Sequence, residues 1–305
     1  MIRSLSLAGL LLTAFVTGAG AQQTFKSADE AAAALATAAK AGDRAAILTV
    51  LGPDAADIVS SGDEVADKSI RERFVQAYDE KHQIETQGDA LAMLVIGSDN
   101  FPFPIPIVRR SDAWRFDTAA GRQEILYRRV GENELDAIQV LLAYVDAQDE
   151  YADKDRGFGR GVYAQRVVSQ SGQKDGLYWP VKAGEEPSPM GGLAAEATSQ
   201  GYQVGGNHAP FHGYYYRILT RQGPNAPGGA LDYVVNGKMI GGFALVAYPA
   251  EYGNSGLMTF IVSHEGTIYQ KNLGERTAQL AEQIKAFDPD STWTRVEGEA
   301  LHLNR

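Results

Sequence analysis

Cysteine is missing altogether from the 305 residues of this chain. Its absence excludes disulfide bonds, thiolate catalysis, Cys-ligated zinc or iron–sulfur sites, and anchoring through an acylated N-terminal cysteine. Positive charge is scarce: 28 Lys and Arg against 38 Asp and Glu give a formal net charge of −10. Nucleic acid and anionic membrane both reward clustered Lys and Arg, so neither is an expected ligand. The usual signatures of chemistry are missing too. There is no Gly-x-Ser-x-Gly elbow, no phosphate loop ending in Lys-Ser or Lys-Thr, and no dense set of metal ligands. No long internal repeat and no low-complexity segment occurs.

What is present begins with an address. Residues 1–21 read as a secretory signal: Arg3 gives the positive start, Leu5 to Val16 the apolar stretch, and Ala19 and Ala21 the small-x-small cleavage pattern. The apolar run is too short to cross ~30 Å of hydrocarbon as a helix, so no transmembrane segment is expected once the signal is cleaved. Cleavage after Ala21 leaves 284 of the 305 residues and removes one positive charge. That length suits two domains of ordinary size held by their own cores. The expected location is periplasmic or secreted.

The next residues turn helical. Ser27 and Glu30 fit a capping box, and an Ala-rich run should stop near Gly42. Asp43 caps a second helix, Arg44 to Leu51, closed by Gly52-Pro53. A third helix runs from about Asp63 to Lys81, with Ala66, Ile70, Phe74 and Tyr78 at helical spacing. From Ala90 the period changes to that of strands. In Phe101 to Ile107 every second residue is proline, which predicts an edge strand or an extended arm. Residues 119–151 read as one long helix or two joined near Gly131. Ile125, Leu135, Ile138, Leu142 and Val145 form its apolar face, and Glu132, Glu134 and Asp136 stay solvated. The Gly157, Gly159 and Gly161 segment follows a helix and predicts a flexible turn. From His212 to Gly274 short apolar runs alternate with turns, as in an antiparallel meander. The fold class is α+β, with a signal at 1–21, an N-terminal unit at 22–130 and a C-terminal unit at 131–305.

Several blocks carry resemblances. Helices followed by strands with a Trp114-x-Phe116 pair are similar in layout to the NTF2-like fold. The blocks from His212 to Leu219, Gly223 to Gly229 and Gly241 to Gly253 resemble a family of exported bacterial proteins known as domain of unknown function 2950. That resemblance implies export and a shared fold, and no activity. The helix end Ala143 to Tyr151, together with Gly213 to Leu219, Phe243 to Pro249 and Met258 to Val262, resembles the globular part of type IV pilins and type II secretion pseudopilins. This resemblance implies a helix packed on a small antiparallel sheet. The prepilin cleavage site and the apolar helix that would follow it are lacking, so assembly into a filament by that route is not implied.

Candidate site residues cluster before and within one strand. His208 and His212 are four apart, but Pro210 and Gly213 argue against a helix there, so a loop lining a groove is the expectation and no metal or other cofactor is implied. Tyr214 and Tyr216, with Arg217, would offer an exposed aromatic and cationic surface if their strand face is open. No catalytic residue can be nominated. The leading function is a non-enzymatic envelope protein that binds a protein or glycan partner, or aids assembly, through its C-terminal sheet. The alternative is an envelope hydrolase or lyase with His208 or His212 in an interdomain cleft.

Overall fold

The computed structural model describes residues 22–205 and 209–297. The expected signal sequence and His208 lie outside them. The fold is α+β. Four helices open it: α1 (Ala28–Ala41), α2 (Arg44–Leu51), the short α3 (Ala56–Val59) and α4 (Glu64–Glu80), with a 3₁₀ turn at Pro53–Ala55. Local chemistry sets their ends. The Ser27 hydroxyl accepts from Glu30 N–H, and Gly42 closes α1 in the left-handed region. Glu30 reaches back to Lys26 N–H rather than to that of Ser27, one residue earlier than a capping box would place it. Asp43 accepts from Ala46 N–H, and Asp63 accepts from Val65 and Ala66 N–H.

An antiparallel sheet follows: β1 (His82–Gln87), β2 (Leu91–Ile96), β3 (Phe101–Pro102), β4 (Ile107–Arg110) and β5 (Ala113–Phe116). Its order is β1-β2-β4-β5, with β3 also on β2. The proline arm lies along β2, where Phe103 N–H donates to Leu94 at 2.7 Å and the prolines, which have no N–H, leave no donor unmet. Ile105 and Ile107 are fully buried, while Phe101 stands exposed at its start.

One helix, α5 (Thr118–Ala152), runs unbroken for 35 residues through Gly131. Its first half closes the N-terminal core with Leu126, and its second half carries Leu141, Tyr144 and Tyr151 into a separate C-terminal core. The boundary expected near residue 130 therefore falls inside a helix that both cores share. Two expectations for its faces are corrected. Leu135 is exposed rather than buried. Glu134 is not solvated, because its carboxylate accepts from Leu257 and Met258 N–H at 2.9 and 3.0 Å.

After α6 (Gly191–Ser199) the chain enters β6 (Tyr214–Leu219) and a set of two-residue strands: β7 (Arg221–Gln222), β8 (Leu231–Asp232), β9 (Val234–Val235) and β10 (Lys238–Met239). The meander is completed by β11 (Ala244–Pro249), β12 (Met258–Ser263), β13 (Ile268–Asn272), α7 (Thr277–Gln283) and β14 (Thr294–Arg295). The C-terminal sheet is antiparallel, in the order β14-β13-β12-β11-β6. Helix α5 packs on β11 and β12, and α7 packs on β11. Gly157, Gly159 and Gly161 form a turn about Asp155, whose carboxylate accepts from Gly157 and Gly159 N–H at 2.8 Å.

Candidate functional site

Alternation along β6 sends Tyr214 and Tyr216 to one face of the sheet and Tyr215 and Arg217 to the other. Both faces are at least partly covered. Tyr214 is wholly buried, and its hydroxyl donates to Met258 C=O at 3.0 Å. Tyr216 is half-buried, with its hydroxyl 3.4 Å from Phe211 C=O, and burial raises both phenols well above their ordinary range. The Arg217 guanidinium donates to Ala281 and Ile284 C=O at 2.7 and 2.8 Å. It thereby satisfies carbonyls at the C-terminus of α7, where a helix leaves acceptors without partners. Tyr214 and Tyr216 thus bond within the sheet and its approach, Arg217 ties β6 to the end of α7, and Tyr216 and Arg217 keep only part of their surface open.

His212 precedes β6 with φ at +50, a backbone region that non-glycine residues enter rarely. Its Nδ1 is 2.9 Å from Asp136 Oδ2 on α5, and its ring lies 4.2 Å from that of Phe211. Next to it, Asp63 is buried and takes four donors: Val65 and Ala66 N–H, the Tyr202 hydroxyl and Gly213 N–H. A carboxylate so engaged is a clamp between the start of α4 and the approach to β6, not a free base. The neighbourhood holds a His–carboxylate pair. Among the described residues, no group of three or more His, Cys, Asp or Glu side chains is placed to hold a metal.

The larger opportunity lies in the N-terminal unit. Helices α1, α2 and α4, the proline arm and α5 line a half-open cavity of about 580 Å³. That volume falls within the roughly 300–1,000 Å³ of small-molecule sites. The walls are apolar, with Leu35, Ile47, Phe74, Phe103 and Ile125 among them. Aromatic rings brace one side: Phe74 is 5.3 Å from Phe103, which meets Phe116 edge-on at 6.2 Å. The space exists because Ala39 and Ala77 stand on facing helices where a larger residue would fill it. Ile70 and Phe101 line the mouth and are 39 % and 38 % exposed.

One end of the cavity is polar. Asp67 accepts from Ser61 N–H at 3.0 Å and from its hydroxyl at 2.7 Å, and burial, the largest influence, pushes its carboxyl up. Arg129 is buried and donates to Asp57 C=O at 2.9 Å, to Ile58 C=O and to Asn254 Oδ1. Its Nε has no partner, and burial lowers the guanidinium pKa. Asn254 also donates to Ser60 C=O and Glu251 at 2.9 and 2.8 Å, so this end is tied to the loop between β11 and β12. A second depression of about 620 Å³ lies between β7–β8 and residues 283–293, rimmed by Arg221, Asp232, Lys285 and Asp288.

Over residues 22–296 the sequence matches the family described as "Protein of unknown function (DUF2950)". The chain belongs to this family. No curated protein and no solved structure matches it. The match to DUF2950 covers both cores, so the N-terminal cavity and the C-terminal sheet lie within one family unit. The sequence named the β6 residues as candidates and missed the cavity. Ile70 and Phe74 at helical spacing and Phe101 and Phe103 at strand spacing marked its lining, but the same spacing marks a filled core.

Proposed function

We propose that this DUF2950 protein is a non-enzymatic binding protein whose ligand seat is the cavity of the N-terminal unit. The observation that carries the reading is a space of about 580 Å³ with apolar walls, closed at one end by Asp67 and Arg129. An apolar molecule with one polar end fits that division of surfaces. Binding through β6 is the weaker reading, because Tyr214 is buried and the polar atoms of Tyr216 and Arg217, though partly exposed, are engaged in internal hydrogen bonds.

Export to the periplasm or beyond completes the proposal. It is supported by the signal-like residues 1–21 and by a family match that starts at Gln22, directly after the expected cleavage site. Among the described residues no helix is long and apolar enough to cross a membrane. Kinship with pilins rests on the helix-on-sheet layout alone. The hydrolase or lyase alternative has one observation in its favour, the His212–Asp136 pair at 2.9 Å.

The test uses a neutral apolar fluorophore, N-phenyl-1-naphthylamine, titrated into the full chain. Saturable enhancement with one site per chain is expected. Ala77→Trp, which fills the cavity, should abolish it while the circular dichroism spectrum is retained. Equal enhancement in the variant would place the dye elsewhere and defeat the reading.

A further inference from the structure

Resting on the cavity reading, we propose that the occupant is a singly charged anionic amphiphile, with an apolar body against Phe74 and Phe103 and a carboxylate-type head on Arg71. The argument is one of which cations are already engaged. Five charged side chains stand about the mouth, namely Arg71, Arg73, Arg128, Asp99 and Glu132, with Asp67 and Arg129 deeper. Arg129 has three acceptors, and Arg128 is held at 2.6 Å by Glu124 while its guanidinium lies 5.0 Å over the Phe101 ring. Arg71 differs. Among the described residues its one hydrogen bond is a marginal 3.5 Å approach of Nη1 to Asp67 C=O, and no carboxylate lies within ion-pair distance of it.

Position favours it as well. Arg71 follows the rim residue Ile70 and precedes the wall residue Phe74 by less than one turn of α4, so its half-buried stem runs along the lining. A guanidinium with most of its five donors open matches a carboxylate in a two-bond fork. Charge count sets the limit on the head. Four arginines (Arg71, Arg73, Arg128, Arg129) against three carboxylates (Asp67, Asp99, Glu132) leave one net positive charge, which a singly charged head neutralises and a doubly charged phosphate exceeds. A cationic head is disfavoured by Arg71 and Arg73, which have no ion-pair partner among the described residues.

Calorimetric titration of the full chain with dodecanoate, dodecanol, dodecyl phosphate and dodecyltrimethylammonium, each below its micelle concentration, tests the proposal. Dodecanoate should bind at least about tenfold more tightly than the other three, the effect of one charge-assisted pair of hydrogen bonds. Arg71→Gln should remove that advantage while leaving dodecanol affinity within about twofold, and Arg71→Lys should fall between. Dodecanol binding as well as dodecanoate, or indifference of dodecanoate to Arg71→Gln, would overturn the head-group assignment and leave the cavity reading standing. Preference for the phosphate or the cationic probe would overturn it too. Failure of all four to bind would defeat the cavity reading itself.

Discussion

Replacing Arg129 by methionine isolates the energetics of the polar end of the cavity. The side chain is 7 % exposed, and methionine keeps most of its apolar stem. Three acceptors lose their donor: Asp57 C=O, Ile58 C=O and Asn254 Oδ1. Hydrogen bonds from a charged donor are worth about 1.5–3 kcal/mol each, and buried acceptors left bare cost a similar amount. Against this stands relief of the guanidinium's desolvation, several kcal/mol in size, which shows here as a lowered pKa and an unpartnered Nε. The balance is a loss of about 3 kcal/mol, at the lower end of what breaking a buried charged contact costs. For a chain of this length that corresponds to a fall of roughly 6–12 °C in the thermal midpoint. Differential scanning calorimetry at neutral pH measures it, with Arg129→Lys expected to lose about half as much. A fall under about 2 °C for the methionine variant would refute the reasoning, because the three acceptors would then have found other partners at no cost.

Two further predictions concern backbone fit and pH. Gly121 and Gly131 both lie in α5, where alanine is the better helix former by up to about 1 kcal/mol. A Cβ at Gly121 would sit 2.5 Å from Pro104 C=O and 2.7 Å from Ile105 Cα, whereas one at Gly131 meets nothing within 4 Å. Gly121→Ala should therefore destabilise by about 1–3 kcal/mol and Gly131→Ala should stabilise slightly, as read by urea midpoints; the same sign for both would count against the packing argument. Burial raises the Asp67 carboxyl above its ordinary value of 3.8. The native state then holds a proton that the unfolded chain releases, so this group's contribution is fullest below pH 3.8 and is lost as pH rises through the raised native value. Asp67→Asn, which cannot ionise, should accordingly compare better with the parent at pH 7 than at pH 4 in urea unfolding, and the opposite trend would contradict the sign.

Much of the helical layer was legible because its determinants are local. Ser27, Asp43 and Asp63 cap the helices the spacing predicts, and α2 spans Arg44–Leu51 as read. The meander after His212 was legible from its alternation of apolar runs and turns. Strand β1 was not, because His82 to Gln87 is polar and almost wholly exposed, leaving no period-two signal. The surroundings of β6 were hidden for another reason. Alternation tells which tyrosines share a face, but only the folded chain shows that Tyr214 is buried and that Arg217 spends its guanidinium on the end of α7. Glu134 was misread because a carboxylate that binds strand amides looks, in sequence, like any solvated helix charge. The cavity was hidden most deeply, since Ala39 and Ala77 reveal a void only once their helices face each other.

The unbroken course of α5 has a consequence for how the molecule can be taken apart. Over 35 residues it extends roughly 50 Å, one end a wall of the first core and the other the cover of the second. A cut near residue 130 would leave every buried member of the first core, Phe25 to Leu126, on one side and every member of the second, Ala137 to Val296, on the other. Each half keeps its own interior; what the cut severs is the helix and the polar ties across it, Arg129 to Asn254 and Asp63 to Gly213. The two units are thus separate in their interiors yet spliced through one rod, so a gene rearrangement that transplanted either would have to cut α5 mid-course and lose those ties.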